Sequence, residues 1–251
     1  MTVLANPSQI TRVAPDGARV DISLPPEAGE LPWHGHTRLA GPALVRNFDL
    51  APAGQRHVIP RKIFPGGRVE TFRRSGFDLV LYEAADRSNS CLVWAGPHNE
   101  ATTWFGGPAP RQSVLNRLVS NLSFTDSPEG ARLVAAGPAA NLQQFSTMVI
   151  GSSERLSVMI KDARGAREEL PSWKGATQGD AEIWKEPLNL GPEQAKAVSG
   201  TPFEWRYIIA NTTSVIEVVF HQRADSPQLR STAEHDRTAA VLAGLKAAWS
   251  A

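Results

Sequence analysis

Cysteine is almost missing from this chain: Cys91 is alone among 251 residues. A single thiol cannot close an intramolecular disulfide, so no cross-link can stand in for a hydrophobic core. It lies in the apolar run Cys91-Leu92-Val93-Trp94, which reads as a buried, inert thiol and not a nucleophile. An excess of one charge is missing too. The formal net charge is +1, without the basic surplus that phosphate contacts demand of a sequence-independent nucleic-acid binder. Lysine is scarce at the front, where Lys62 is the only one in the first 150 residues and arginine carries the positive charge. Long apolar runs are absent: none approaches the roughly 18 residues a membrane helix needs. The start, MTVLANPSQITRVAPDG, lacks the basic stretch and apolar core of a secretory signal. These absences predict no nucleic-acid partner, no membrane partner and a cytoplasmic location. There is no Gly-x-Ser-x-Gly elbow, and Gly66-Gly67 and Gly106-Gly107 lack the Lys-Ser/Thr of a phosphate loop. No cofactor is implied, and the reading leans away from an enzyme.

What is present suits a globular protein. Hydrophobic residues make up 41% and charged residues 20%, enough to bury a core. The 20 glycines and 19 prolines are spread along the chain, which favours many short elements over long helices. One pattern occurs twice. Phe77–Trp94 reads as strand, turn and strand, and the amphipathic stretch Arg111–Phe124 follows; Phe203–Phe220 repeats the hairpin, and the stretch Ala233–Trp249 follows. The expectation is an α+β protein, mainly antiparallel sheet with two amphipathic helices, built as two related half-domains.

Residues 1–36 carry Pro7, Pro15, Pro25, Pro26 and Pro32 and read as an irregular N-terminal arm with one short strand, Ala18–Leu24. Residues 37–136 read as a β-meander plus helix, with strands expected at Ala43–Asp49, Arg56–Phe64, Arg68–Arg73, Phe77–Glu83 and Ser90–Ala95. In the first amphipathic stretch Val114, Leu115, Leu118, Val119 and Leu122 make one apolar stripe. Gly137-Pro138 is the expected boundary, and residues 139–251 form the second half. There Phe145–Ile150 and Arg155–Ile160 flank a hairpin turn, residues 162–180 read as a loop, and Pro192–Val198 as a short helix.

Trp205-Arg206-Tyr207-Ile208-Ile209, then Val215–Phe220 and the last amphipathic stretch, resemble the ending of PsbP-like and LpqN-like proteins. In those families a strand pair and a C-terminal helix finish an antiparallel sheet. Leu122-Ser123-Phe124-Thr125-Asp126-Ser127-Pro128 is similar to their helix exit. The resemblance covers about the last 50 residues well and Phe77–Pro128 loosely. It implies an accessory or binding module with an assembly or chaperone-like role, and it carries over no site residues. Those families are often exported, and this chain shows no export signal.

Candidate chemistry is sparse. His34 and His36, two apart on an extended strand, can point the same way and share a metal, but the sequence nominates no further ligand. His98 and Glu100 beside Trp104 could do acid–base work, or make a polar turn after a strand. Trp33, Trp173 and Trp184 lie in irregular, polar surroundings and are candidates for a protein interface. The leading expectation is a non-enzymatic binding or structural-accessory protein, whose partner is another protein or a second copy reached through the arm. A phage virion or contractile-apparatus component fits the same features. The rival is a small-ligand protein or metal-dependent enzyme with a pocket near His34, His36 and His98.

Overall fold

The computed structural model describes residues 6–42, 44–136, 142–222 and 232–251. The protein is of the α+β class, and its sheets are mostly antiparallel. Backbone contacts divide the described chain into two compact units. The first holds residues 6–12, 19–33 and those from 150 onward; the second holds 13–18 and 34–149. The boundary expected at Gly137-Pro138 lies outside the described residues.

In chain order the strands up to residue 152 are β1 (Ser8–Val13), β2 (Arg19–Leu24), β3 (Trp33–Gly41), β4 (Leu44–Pro52), β5 (Arg68–Arg73) and β6 (Asp78–Glu83). They continue with β7 (Asn89–Ala95), β8 (Asn99–Gly106), helix α1 (Gln112–Ser120), β9 (Leu122–Ser127), β10 (Gly130–Ala135) and β11 (Gln143–Ser152). The second unit lays its strands in the order β11-β3-β4-β8-β7-β6-β5, and β9 pairs with β10 in a separate hairpin. The expected hairpin of β6 and β7 forms, with Leu79 opposite Trp94 and Leu81 opposite Leu92. Alternation sends Leu79, Leu81, Leu92, Trp94, Ala101 and Phe105 to one face. Leu115 and Leu118 of α1 cover them, with Leu122, Ala131 and Leu133 of the β9–β10 hairpin. Each fully buried leucine there contributes about 1.5–3 kcal/mol. The other face packs Val80, Tyr82, Cys91 and Val93 under Ile59 and Phe64.

Two expectations in this unit are corrected. Arg56–Phe64 is not a strand. Gln55–His57 is a 3-10 turn and Ile59–Ile63 a π-helical turn, closed by Phe64 N–H donating to Ile59 O at 2.7 Å. Pro60 has no N–H to give a ladder, but at the start of a helical turn none is needed. The i, i+5 spacing puts both Ile59 and Phe64 on the core. The helix expected over Arg111–Phe124 stops at Ser120, where Asn121 caps it, and Leu122–Ser127 is a strand. Phe124 and Thr125 suit a strand and find partners in Leu133 and Arg132. Of the expected stripe, Leu115, Leu118 and Leu122 are buried and Val114 is exposed.

The N-terminal region is more regular than its prolines suggest. Beyond the expected strand it forms β1 and the start of β3. Residues 13–18 dock on the second unit's small hairpin, where Val13 N–H donates to Glu129 O and Leu133 N–H donates to Pro15 O. Gly35 makes room for the Pro15 ring, which a Cβ at that position would meet at 2.8 Å.

The first unit continues with β12 (Leu156–Asp162), α2 (Ala163–Ala166), β13 (Ala176–Gln178), β14 (Ala181–Pro187) and α3 (Pro192–Val198). It closes with β15 (Trp205–Ala210), β16 (Ser214–Phe220), α4 (Thr232–Gly244) and β17 (Lys246–Ser250). One strand run is β13-β14-β15-β16-β12, and β1-β2-β17 form a second sheet. The expected second hairpin is β15–β16, with Ile209 opposite Ile216. The stretch expected as one helix to Trp249 breaks at Gly244, where a Cβ would meet the Pro25 ring at 2.7 Å. Beyond it Lys246-Ala247-Ala248-Trp249-Ser250 alternates exposed and buried, and pairs with β2. The segment read as a loop, 162–180, contains α2 and β13. Asp162 caps α2 by accepting the Arg164 N–H at 2.9 Å, and Ala163 and Ala166 pack on Trp184, Ile208 and Val215. No helix among the described residues is long and apolar enough to cross a membrane.

Candidate functional site

In the second unit, β3 brings His34 and His36 to one face, as their spacing requires. The cross-strand partner of His36 is Asp49 on β4, and His36 Nδ1 lies 2.8 Å from Asp49 Oδ1. His34 is half-buried, and this desolvation pulls its pKa down, while Asp49 pushes it up and His36 opposes. Among the described residues no group of three or more His, Cys, Asp or Glu side chains is arranged to hold a metal ion. The pair is an imidazole–carboxylate contact at a partly wet surface.

Glu100, on β8, falls on the same face as Asp49, because its partner Ala51 is two residues beyond Asp49 on β4. It is only 2% exposed. Its carboxylate accepts the N–H of Gly54 through Oε1 and of Arg56, at 2.9 Å, through Oε2. The Arg56 guanidinium lies 3.7 Å away. Gly54 sits in the left-handed region at φ +99°, which a glycine adopts without strain. Glu100 therefore fastens the turn that leads into the π-helical cover of the sheet. His98 does not join it. It is exposed in the turn before β8, where its backbone N–H donates to Asp126 Oδ2 at 2.7 Å. Cys91 is fully buried, and burial pushes its thiol up to about 12, so it carries no thiolate at neutral pH.

The three tryptophans separate. Trp33 and Trp184 are buried in the first unit. The Trp33 ring lies against Gly151, where a Cβ would meet it at 2.8 Å. The Trp184 indole N–H donates to Trp173 O at 2.7 Å and so anchors the segment that carries Trp173. Of the three, Trp173 alone keeps an exposed ring, at 55%.

Three arrangements escape linear reading. On one face of the first unit Lys161 Nζ lies 2.7 Å from Glu217 Oε1 and 2.6 Å from Glu169 Oε2. Arg206 bonds Glu217 Oε2 at 3.2 Å and pairs with Glu186. The register that sets Ile208 opposite Glu217 and Met159 opposite Glu217 brings these charges into one row. The unit also sets Ser157 Oγ 2.8 Å from His221 Nε2 and 2.9 Å from Ser152 Oγ. Burial keeps His221 below the usual histidine range. No carboxylate among the described residues bonds the other ring nitrogen, the contact that orients the histidine of a catalytic triad. In the second unit Arg46 and Arg117 meet at a small cleft above Phe105. One signal for it exists in the sequence: Arg46 shares its strand parity with buried Phe48 and Leu50, a charge on an apolar face.

A comparison of the chain with known protein families, curated proteins and solved structures returns no match.

Proposed function

We propose that this is a non-enzymatic protein-binding or structural-accessory protein that acts within a larger assembly, in the cytoplasm where it is made. The observation that carries it is the distribution of exposed apolar surface. Among the described residues the second unit holds every exposed large apolar side chain except Trp173. Trp104 is 41% exposed, and its ring meets Phe64 edge to face at 6.0 Å. Val69 lies on the same sheet face, and exposed Val58 and Ile63 belong to the turn that covers it. Single exposed aliphatics are ordinary, but a tryptophan with aliphatic neighbours on one face has the composition of an interface core. The PsbP-like and LpqN-like resemblance points to the same class. A virion or contractile-apparatus component is one form of such an assembly.

The rival reading, a metal-dependent enzyme or small-ligand protein near His34, His36 and His98, draws support from the His36–Asp49 contact beside His34. One experiment separates the two: solution mass by light scattering, with metal content on the same sample, for the full chain and for Trp104→Ser. The expected result is a metal-free oligomer or stoichiometric complex that Trp104→Ser shifts towards monomer, with stability lowered by about 1–2 kcal/mol through the lost Phe64 contact. A monomer with stoichiometric metal that His34→Ala or His36→Ala removes would replace this reading with its rival.

A further inference from the structure

We propose that the cleft between β4, β8 and α1 of the second unit binds the carboxylate of an acidic residue on a partner protein, beside an apolar residue of that partner. This rests on the protein-binding reading above and names the chemistry of the partner. The cleft has a volume of about 130 Å³. Pockets for cofactors or drug-sized ligands run from about 300 Å³ upward, so this one suits a single side-chain head group.

Its charge is uncompensated. Arg46 and Arg117 both line it, and no lining residue is acidic. Among the described residues neither guanidinium has a carboxylate partner. Elsewhere in the same unit Arg56, Arg68 and Arg87 each pair with a glutamate. Arg46 is held in place, its guanidinium carbon 4.4 Å from the centre of the Phe105 ring. A ring face supplies no hydrogen-bond acceptor, so the forked donors of Arg46 stay available for a carboxylate. Arg117 projects from the last turn of α1, and Asn121, which caps that helix, also lines the cleft. The helix end opposes an anion with about half a negative charge, against two full positive charges. An anion between the guanidiniums also relieves their mutual repulsion.

The rim supplies the second half of the proposal. Val45 is 54% exposed and Val114 37% exposed, and both line the cleft above buried Phe105 and Leu118. An arginine pair flanked by exposed aliphatics suits an acidic residue next to a leucine-like one. It suits a bare, strongly hydrated inorganic anion less well, since such an ion covers no apolar surface.

The test uses the full-length protein labelled with nitrogen-15 and two blocked peptides, acetyl-Leu-Glu-Leu-amide and acetyl-Leu-Gln-Leu-amide. The glutamate peptide should shift the amide signals of Arg46, Val114, Arg117 and Asn121 saturably. The glutamine peptide should bind at least about tenfold more weakly, a difference of about 1.4 kcal/mol. Arg117→Gln should erase that preference and leave thermal unfolding unchanged, because the side chain is exposed. Arg46→Gln should erase it as well. Equal shifts from the two peptides, or a preference for glutamate that survives Arg117→Gln, would overturn the proposal. Light scattering on the same samples keeps the two ideas apart. A protein that assembles but ignores the glutamate–glutamine difference keeps the protein-binding reading and loses this cleft.

Discussion

Each of the two units buries a glutamate, and they neutralise it in different ways. Glu217 of the first unit is 7% exposed and lies between two cations, Lys161 and Arg206. Glu100 of the second unit is 2% exposed and is held by the backbone N–H groups of Gly54 and Arg56, with the Arg56 guanidinium further off at 3.7 Å. A carboxylate out of water needs compensation in either case. The first unit draws its cations inward to supply it, and the second uses its main chain. Arg56, Arg68 and Arg87 of the second unit pair with glutamates, whereas Arg46 and Arg117, which line the cleft proposed above as a carboxylate site, have no carboxylate partner among the described residues. On the proposal above, charge is internal cement in the first unit and a recognition element in the second.

The largest effect should come from breaking the ionic side of this comparison. Glu217→Ala leaves Lys161 and Arg206 facing each other without their shared carboxylate. Removing one partner of a buried pair costs about 3–5 kcal/mol. Lys161 keeps Glu169, Arg206 keeps Glu186, and Arg206 is 39% exposed, so the cost should fall to the bottom of that range, about 3 kcal/mol. Urea unfolding of Glu217→Ala against the parent measures it. A loss well under 1 kcal/mol would mean that the row of charges is a surface decoration, and the two units would then not differ in this respect.

The main-chain side should be weaker. Glu100→Ala removes two charge-assisted bonds, but Gly54 is exposed, so water can replace part of what is lost. A cost of about 2 kcal/mol is expected, measured by the same unfolding experiment. Glu100→Gln should lose less, since its amide oxygen still accepts one N–H. Were Glu100→Ala silent in unfolding but fatal to some activity, Glu100 would be a working acid or base and the comparison would collapse.

Much of the fold was legible because alternation is local. Asp78–Glu83, Asn89–Ala95 and Ser214–Phe220 carry their own face pattern, and β-branched and aromatic residues fit it. The failures share a cause. Lys246–Ser250 looks like the end of a helix until β2 offers it a ladder, and Gly244 is where the chain can change direction against Pro25. Arg56–Phe64 alternates well enough for a strand, but Glu100 takes the N–H of Arg56 from 44 residues away and that of Gly54, just before the segment, from 46. The candidate site was less legible still. His34 and His36 share a face because spacing alone ensures it, whereas Asp49 reaches His36 only through strand register. Arg46 and Arg117 sit on a strand and a helix that nothing in the linear sequence joins.

The smallest predicted effect is the one that tests the sign of the electrostatics in the first unit. Burial alone would lower the Lys161 pKa; hydrogen bonds and charge from Glu169 and Glu217 outweigh it, so the pKa is raised. A cation with a raised folded-state pKa stabilises the fold in full below its unfolded value, about 10.4, and loses that contribution as pH rises through the folded value. Lys161→Met should therefore be less stable than the parent at neutral pH, and the gap should narrow above about pH 10.4. Buried Tyr82 and Tyr207, with phenols also pushed up by burial, titrate in the same range, but they do so in both proteins. Only the difference between the two stability curves belongs to Lys161. A gap that stays constant through this range would show that the Lys161 stem, and not its charge, holds the first unit together; the contrast with the second unit would then rest on Arg206 alone.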